Sequence, residues 1–272
     1  MRDANAILRV ILTWCAMLSL TSAHAQTNYN QPPPPNVEWT QNIGDTLPLD
    51  TPVINTDGET VALGSYFDDG PVVLIFGYNR CPMLCGEVIQ GVLQVSNDLD
   101  WKAPDDYEVL FFSVDPTEDA KLAADAEDNA NRAYADDADA GAWHFLRGSP
   151  EAVEKLTEAA GFGYQYMKDT NEYAHPSGFL VSEPDGTISK YFFGVRFDRQ
   201  AVRLALADSS QGKLGSPTDK LLILCCQYDP MTGKYGLAIH RVLKVGAGLT
   251  ILALGGFIVL NLRRERKGSD SA

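Results

Sequence analysis

A short apolar strand that runs into two cysteines constrains the fold of this chain more than any other stretch. Residues 72–76 are all apolar and mostly β-branched, which is typical of a buried parallel strand. From residue 86 onward, apolar side chains recur at the spacing of a helix. Cys81 and Cys85 therefore lie where a strand ends and a helix begins. Backbone N–H groups and the helix dipole favour thiolate there, so we expect reactive or metal-binding cysteines.

The other predicted elements place this junction within an α/β fold. The first are a hairpin around the turn at 56–58, a second buried strand at 108–114 and a polar alanine-rich helix. A strand at 143–146, a helix at 149–161 and a loop at 163–176 follow. The last are a strand pair at 178–182 and 187–193 around the turn at 184–186, and a closing helix at 199–207. Because parallel strands need a crossover whereas hairpin strands pair antiparallel, this order predicts a thioredoxin-like fold with an N-terminal β-hairpin extension.

Both ends of the chain predict export and anchoring. Residues 1–25 have the basic start, apolar segment and Ala-His-Ala end of a cleaved signal peptide, which would remove Cys15. Residues 245–262 are almost uncharged, long enough for one transmembrane helix, and followed by four basic residues. The segments between are a proline-rich spacer (26–44), the folded domain (45–210), a juxtamembrane segment (211–244) and a cytoplasmic tail (263–272). We therefore expect a bacterial cytoplasmic membrane protein whose soluble domain lies in the periplasm.

The net charge of −14 argues against nucleic acid or an anionic membrane surface as the main partner, because both attract basic faces. Four cysteines remain after the signal. They form two close pairs, which do not resemble a set of structural disulfides that cross-link distant parts of a chain. Adjacent cysteines bridge only with strain. Cys225 and Cys226 are therefore either small buried hydrophobes or an accessory metal or redox pair.

Three histidines follow the signal, and one of them is a candidate partner for the thiols. His175 ends a long loop and precedes a strand whose start lies close to the cysteines in this topology. Two thiolates and one imidazole suit Cu(I). The alternatives are a structural disulfide for the cysteines and an ordinary loop histidine at 175. His144 alternates with apolar neighbours, as in a core or surface strand, and His240 lies beside the predicted membrane helix.

Three motifs resemble the Sco/SenC family of copper proteins, which serve assembly of cytochrome c oxidase. They are FGYNRCPMLC at residues 76–85, SVDPTED at 113–119, and His175 with FLV at 179–181 and PDG at 184–186. The resemblance covers roughly residues 47–207. A Cys-x-x-x-Cys pair alone would be a weak signal, whereas these motifs together are specific.

The resemblance implies a role for each matching residue. Cys81, Cys85 and His175 match the family's copper ligands, for Cu(I) or Cu(II), and the two cysteines match a redox-active disulfide. Asp115 matches an auxiliary acid, although an Asp-Pro pair is also good helix-capping chemistry. The implied partner is the copper-bearing subunit of cytochrome c oxidase or another copper or thiol protein. Family members usually have an N-terminal anchor, whereas the anchor predicted here is C-terminal.

The main alternative function is a thiol–disulfide oxidoreductase, because the same thiols could exchange electrons when metal-free. Such enzymes usually have two residues between the thiols and do not need His175. A peroxidase fits less well, since Tyr78 stands where peroxiredoxins have Thr or Ser. Zinc is the competing metal, but closed zinc sites normally have four protein ligands. By the same resemblance to thioredoxin-like folds, we expect a cis peptide at His175–Pro176.

Overall fold

The structure, a computed structural model, describes residues 34–68, 70–81, 85–134, 141–210, 226–229 and 234–237, with residues 248, 250, 252 and 254. The chain divides into two compact units, Met1–Pro35 and Asn36–Ala272. All elements named below belong to the second unit. The strands are β1 (Pro52–Ile54), β2 (Thr60–Ala62), β3 (Val72–Gly77), β4 (Glu108–Ser113), β5 (Trp143–Leu146), β6 (Gln165–Met167), β7 (Glu172–Ala174), β8 (Gly178–Ser182), β9 (Ile188–Phe193), β10 (Cys226–Asp229) and β11 (Lys234–Leu237). The helices are α1 (Cys85–Asp98), α2 (Ala120–Ala133), α3 (Pro150–Ala160) and α4 (Arg199–Ser209), with a 3-10 turn at Leu63–Tyr66.

The central sheet has five strands in the order β5-β4-β3-β8-β9. Strands β3, β4 and β5 are parallel, whereas β8 is antiparallel to β3 and β9 is antiparallel to β8. All six residues of β3 are buried, as expected for a central strand covered on both faces. The α/β order and the pairing directions agree with the predicted thioredoxin-like plan.

Two apolar cores lie on opposite faces of this sheet, because successive side chains of a strand point to opposite faces. Val73 and Ile75 of β3 pack against α1 and α4 on one face. Val72, Leu74 and Phe76 pack against α3 and the N-terminal hairpin on the other. The central strand is thus held from both sides, which fixes the position of its carboxyl end.

The structure corrects two details of the sequence prediction. The segment at 163–176, expected to be a loop, contains the antiparallel hairpin β6–β7. The expected cis peptide at His175–Pro176 is wrong, since among the described residues the cis bond is Ala103–Pro104. The hairpin brings β7 to an end immediately before His175.

The predicted end segments lie mostly outside the described residues. This holds for the signal peptide at 1–25, much of the spacer and the tail at 263–272, and for all but four residues of the predicted membrane helix at 245–262. Those four are helical, and Leu252 and Leu254 among them are exposed. Within the described part of the chain, no helix combines the length and the apolar character needed to cross a membrane.

Candidate metal centre

The end of the central strand brings the two cysteines together. β3 ends at Gly77, four residues later comes Cys81, and α1 begins at Cys85. A Cβ atom on Gly77 would lie 3.3 Å from the Cys85 Sγ and 3.1 Å from the Phe111 ring. These contacts are tight, so glycine at this position lets the first residue of α1 approach the sheet closely.

Three potential metal-binding atoms converge at this junction. The two Sγ atoms of Cys81 and Cys85 and a ring nitrogen of His175 all lie within 4.8 Å of one another. Donors held at about 2.0–2.3 Å from one ion are at most about 4.6 Å apart, so the group fits a single ion after small side-chain adjustments. Neither cysteine forms a disulfide; Cys85 is buried, whereas Cys81 and His175 are partly exposed. The site therefore opens to solvent on the side of Cys81 and His175.

The imidazole of His175 is oriented by the backbone next to it. Its Nδ1 lies 3.0 Å from the Pro176 carbonyl oxygen, which can only accept, so Nδ1 carries the proton. The lone pair of Nε2 then faces the Cys85 Sγ, 2.8 Å away. A hydrogen bond on the far nitrogen commonly fixes the tautomer of a metal-binding histidine in this way. His175 is thus prepared to act as a ligand through Nε2.

Aromatic rings pack against the imidazole of His175. Tyr78 and Phe162 lie 5.9 Å and 5.6 Å from the His175 ring, measured between centroids. Tyr78 also packs edge-on against Tyr173 of β7, at 5.5 Å. Phe162 stacks on Phe76 at 5.1 Å. The ring of His175 therefore rests on residues that belong to the sheet core, which restricts its rotation.

The Cys85 thiol is protonated rather than ionised in this arrangement. A hydrogen bond with Cys81 and burial both raise the pKa of the Cys85 thiol far above its ordinary value. These two effects outweigh the hydrogen bond with the Tyr78 backbone, which lowers the pKa, so the thiolate expected at the helix start is wrong for Cys85. A metal ion that binds Cys85 must displace a proton.

Asp115 lies near the loop that carries Cys81 but outside the group of three donors. Its carboxylate accepts hydrogen bonds from the Thr117 backbone N–H at 2.9 Å and hydroxyl at 2.7 Å, and it forms an ion pair with Arg80. Burial raises the pKa of Asp115, but the bonds from Thr117 and Arg80 outweigh it and hold the pKa below its usual value. The residue that caps α2 is Asp119, which accepts from the Lys121 N–H at 2.9 Å.

Glu118 is a site residue that the sequence reasoning missed. It is 4% exposed, and its carboxylate accepts three hydrogen bonds from the loop just before Cys81. Glu118 is part of the SVDPTED motif, but the motif does not show this role, because Glu118 lies 38 and 39 positions from its partners Arg80 and Asn79.

Of the remaining candidates, only His144 has its side chain among the described residues, and it does not join the donor group. His144 lies in β5, where its Nε2 is 3.2 Å from the Glu108 carboxylate and its ring packs on Tyr66. His240 and Cys225 lie outside the described residues, and Cys226 begins β10 with its side chain outside the description. The two alternatives for Cys225 and Cys226, small buried hydrophobes or an accessory metal or redox pair, therefore stay predictions.

Solved structures show the same fold as this chain. A candidate electron transfer protein from Aquifex aeolicus VF5 aligns with a TM-score of 0.55 and 22% identity, covering 62% of this chain and 95% of that chain. A candidate electron transport protein from the same organism aligns with a TM-score of 0.52 and 22% identity, covering 63% of this chain and 99% of that chain. Arabidopsis thaliana ScoI with copper bound aligns with a TM-score of 0.48 and 17% identity, covering 62% of this chain and 97% of that chain. At these identities the similarity shows the fold alone. It rests on the two Aquifex aeolicus structures, whose TM-scores are 0.55 and 0.52.

The family assignment rests on the sequence. The comparison with curated proteins found no match. A family model described as SCO1/SenC, however, matches residues 51–207, which is more than half of the chain and includes the strand end, both cysteines and His175. With this match and with the motif residues gathered at one edge of the sheet, the chain belongs to the SCO1/SenC family.

Proposed function

We propose that this chain is a membrane-anchored periplasmic copper chaperone that assists assembly of a copper site in cytochrome c oxidase. Its copper ligands are Cys81, Cys85 and His175. The observation that carries this proposal is the convergence of two sulfurs and one imidazole nitrogen within 4.8 Å. Family membership supports the assignment of copper and of the oxidase as the process served.

The donor set favours copper over the other common metals. Thiolates are soft ligands that select Cu(I), and Cu(I) accepts the low coordination number that three donors provide. A closed structural zinc site normally needs four protein ligands, and the described residues bring three together here. The exposed side of the site, at Cys81 and His175, gives a recipient protein access to the bound ion, as transfer requires.

The proposed location follows from the two end segments. A cleaved signal at residues 1–25 and a single membrane helix at 245–262 would leave the domain in the periplasm and the tail at 263–272 in the cytoplasm. The exposed side chains of Leu252 and Leu254, both helical, support a lipid-facing helix. A reporter fused after Ala272 should be active only inside the cytoplasm, and activity on the periplasmic side would contradict this topology.

The two cysteines can also switch between two thiols and a disulfide, so the site has a reduced and an oxidised form. When they form a disulfide, each sulfur loses a proton and one electron, and a partner disulfide that accepts the two electrons is reduced to two thiols. A Cys81–Cys85 disulfide offers no thiolate to a metal, so oxidation should prevent copper loading. The same exchange supports the alternative function, a thiol–disulfide oxidoreductase, for which two reduced thiols within 4.8 Å of each other are the favouring observation.

Copper titration of the reduced, metal-free protein separates the two functions. Competition with a Cu(I) chelator should show one tightly bound ion per chain, lost in Cys81→Ala and in Cys85→Ala. His175→Ala should bind more weakly and change the Cu(II) spectrum. The matched control is His144→Ala, since His144 contacts Glu108 and lies outside the donor group. A reduced protein that takes up no copper but still reduces disulfides would sink the chaperone proposal.

A further inference from the structure

The loop before Cys81 is held by a buried carboxylate. The Glu118 Oε1 accepts hydrogen bonds from the backbone N–H groups of Asn79 at 2.6 Å and Arg80 at 3.2 Å. Its Oε2 accepts from the side-chain amide of Asn79 at 2.7 Å. Glu118 is 4% exposed, so water cannot replace these three bonds easily. The carboxylate therefore fixes the backbone of the two residues that precede Cys81.

Glu118 is itself anchored on the neighbouring strand. It follows β4 in a turn where its N–H donates to the Asp115 carbonyl oxygen at 3.2 Å. Its own carbonyl oxygen accepts from the Arg147 Nη1 at 3.2 Å. The same turn holds Arg80 a second time through the ion pair with Asp115. Two carboxylates from one turn thus attach the loop to the rigid centre of the sheet.

We propose that Glu118 is a positioning residue for the metal centre: by holding Asn79 and Arg80 it sets the place of the Cys81 sulfur relative to Cys85 and His175. The proposal rests on the proposed function. The position of Cys85 is fixed by α1, and that of His175 by β7 and the ring contacts described above. Cys81 belongs to neither a strand nor a helix, so its place depends on the backbone bonds of its own loop.

A second glutamate offers a matched control. Glu127 of α2 also accepts one bond from a backbone N–H, that of Phe145 at 2.8 Å, and one from a side chain, the Thr56 hydroxyl at 2.7 Å. Its partners lie on β5 and on the turn between β1 and β2, away from the donors of the metal centre. A general loss of stability should follow from changing either glutamate, whereas a change at the metal centre should follow only from Glu118.

The test compares Glu118→Gln with Glu127→Gln in the full chain. Competition with a Cu(I) chelator should show at least tenfold weaker binding for Glu118→Gln and affinity within about twofold of the parent for Glu127→Gln. In the metal-free protein, oxidised glutathione should close the Cys81–Cys85 disulfide at least fivefold more slowly in Glu118→Gln. In that reaction the two thiols give up two protons and two electrons, and glutathione disulfide becomes two thiols.

The two readouts distinguish the failure of this proposal from that of the proposed function. If the parent binds no copper, the proposed function fails, and slower disulfide closure in Glu118→Gln still supports the positioning role. If both variants behave like the parent, or lose copper equally, the positioning role is wrong. Should Glu118→Gln fail to fold, Asn79→Ala removes one of the three bonds and should weaken Cu(I) binding about threefold. Unchanged binding in Asn79→Ala would overturn the proposal.

Discussion

Replacement of Gly91 by alanine tests how α1, the helix that carries Cys85, is seated on the domain. Gly91 lies inside this helix, where alanine would normally be favoured by about 1 kcal/mol. A Cβ at Gly91, however, would lie 2.2 Å from the Val195 carbonyl oxygen and 3.0 Å from the Phe197 ring. The first of these contacts involves the backbone, so no side-chain rotation relieves it.

The overlap between this Cβ and the Val195 carbonyl oxygen determines whether Gly91→Ala stabilises or destabilises the fold. Removing it requires the helix or the segment at Val195 to move by roughly 1 Å, and overpacking of a well-packed region costs about 1–3 kcal/mol. With a backbone contact this short, we take the upper end, near 3 kcal/mol. The helix-propensity gain offsets about 1 kcal/mol of this. Gly91→Ala should therefore lose about 2 kcal/mol of unfolding free energy and melt roughly 4–8 °C lower.

Gly86 provides the control within the same helix. It has open space around its Cα, with nothing within 4 Å of an added Cβ. Gly86→Ala should therefore leave stability unchanged or raise it by up to about 1 kcal/mol. Urea unfolding of both variants measures the difference, which should be about 2–3 kcal/mol. If Gly91→Ala is as stable as the parent chain, the close packing of α1 against Val195 is refuted.

Three further changes probe the surroundings of the metal centre. Phe162→Ala should cost about 3–5 kcal/mol in urea unfolding, because this 3% exposed ring packs on Phe76 and Trp39; a loss under 1 kcal/mol would contradict that packing. Apparent Cu(I) affinity, measured by chelator competition, should rise with pH because the pKa of the Cys85 thiol is raised and the metal must displace its proton; a pH-independent affinity would argue against this. The pKa of Asp115 is lower in the folded chain than in the unfolded chain, so the ionised carboxylate stabilises the fold at pH values above its unfolded pKa of about 3.9. This stability is lost as the pH falls through the pKa of the folded chain. Asp115→Asn should thus lose less stability on acidification than the parent, and equal pH profiles would refute the assignment.

The sequence predicted those features that depend on local patterns. The all-apolar residues of β3 identified the central strand, and the switch to helical spacing located the cysteines at its end. Turn chemistry was equally informative: Ser149 caps α3 and Gly161, at φ 66°, ends it, as the sequence suggested. His175 could be placed because it precedes a strand whose position in the sheet follows from the order of elements.

Features that depend on distant partners could not be predicted. The hairpin β6–β7 has no apolar alternation, and it is held by backbone pairing and by a hydrogen bond of 2.6 Å between Tyr166 and Asn171. The high pKa of Cys85 arises from a hydrogen bond with Cys81 and from burial, and both depend on the folded positions of the side chains rather than on the spacing of the two cysteines. Likewise the SVDPTED motif contains Glu118, but only the folded chain shows that its carboxylate lies beside Asn79.

The distance along the chain between the site's donors has a consequence for folding. His175 lies 94 positions after Cys81, so an ion bound to both closes a loop of the chain that includes β4, α2, β5 and α3. The unfolded chain rarely brings these groups together, and closing such a long loop costs it considerable entropy. An ion that binds only the folded form acts as a reversible cross-link, worth about 2.7 kcal/mol at a free concentration 100 times its Kd. A Cys81–Cys85 disulfide closes only a five-residue ring and restrains the chain far less. Resistance to proteolysis should therefore report whether the domain carries its ion.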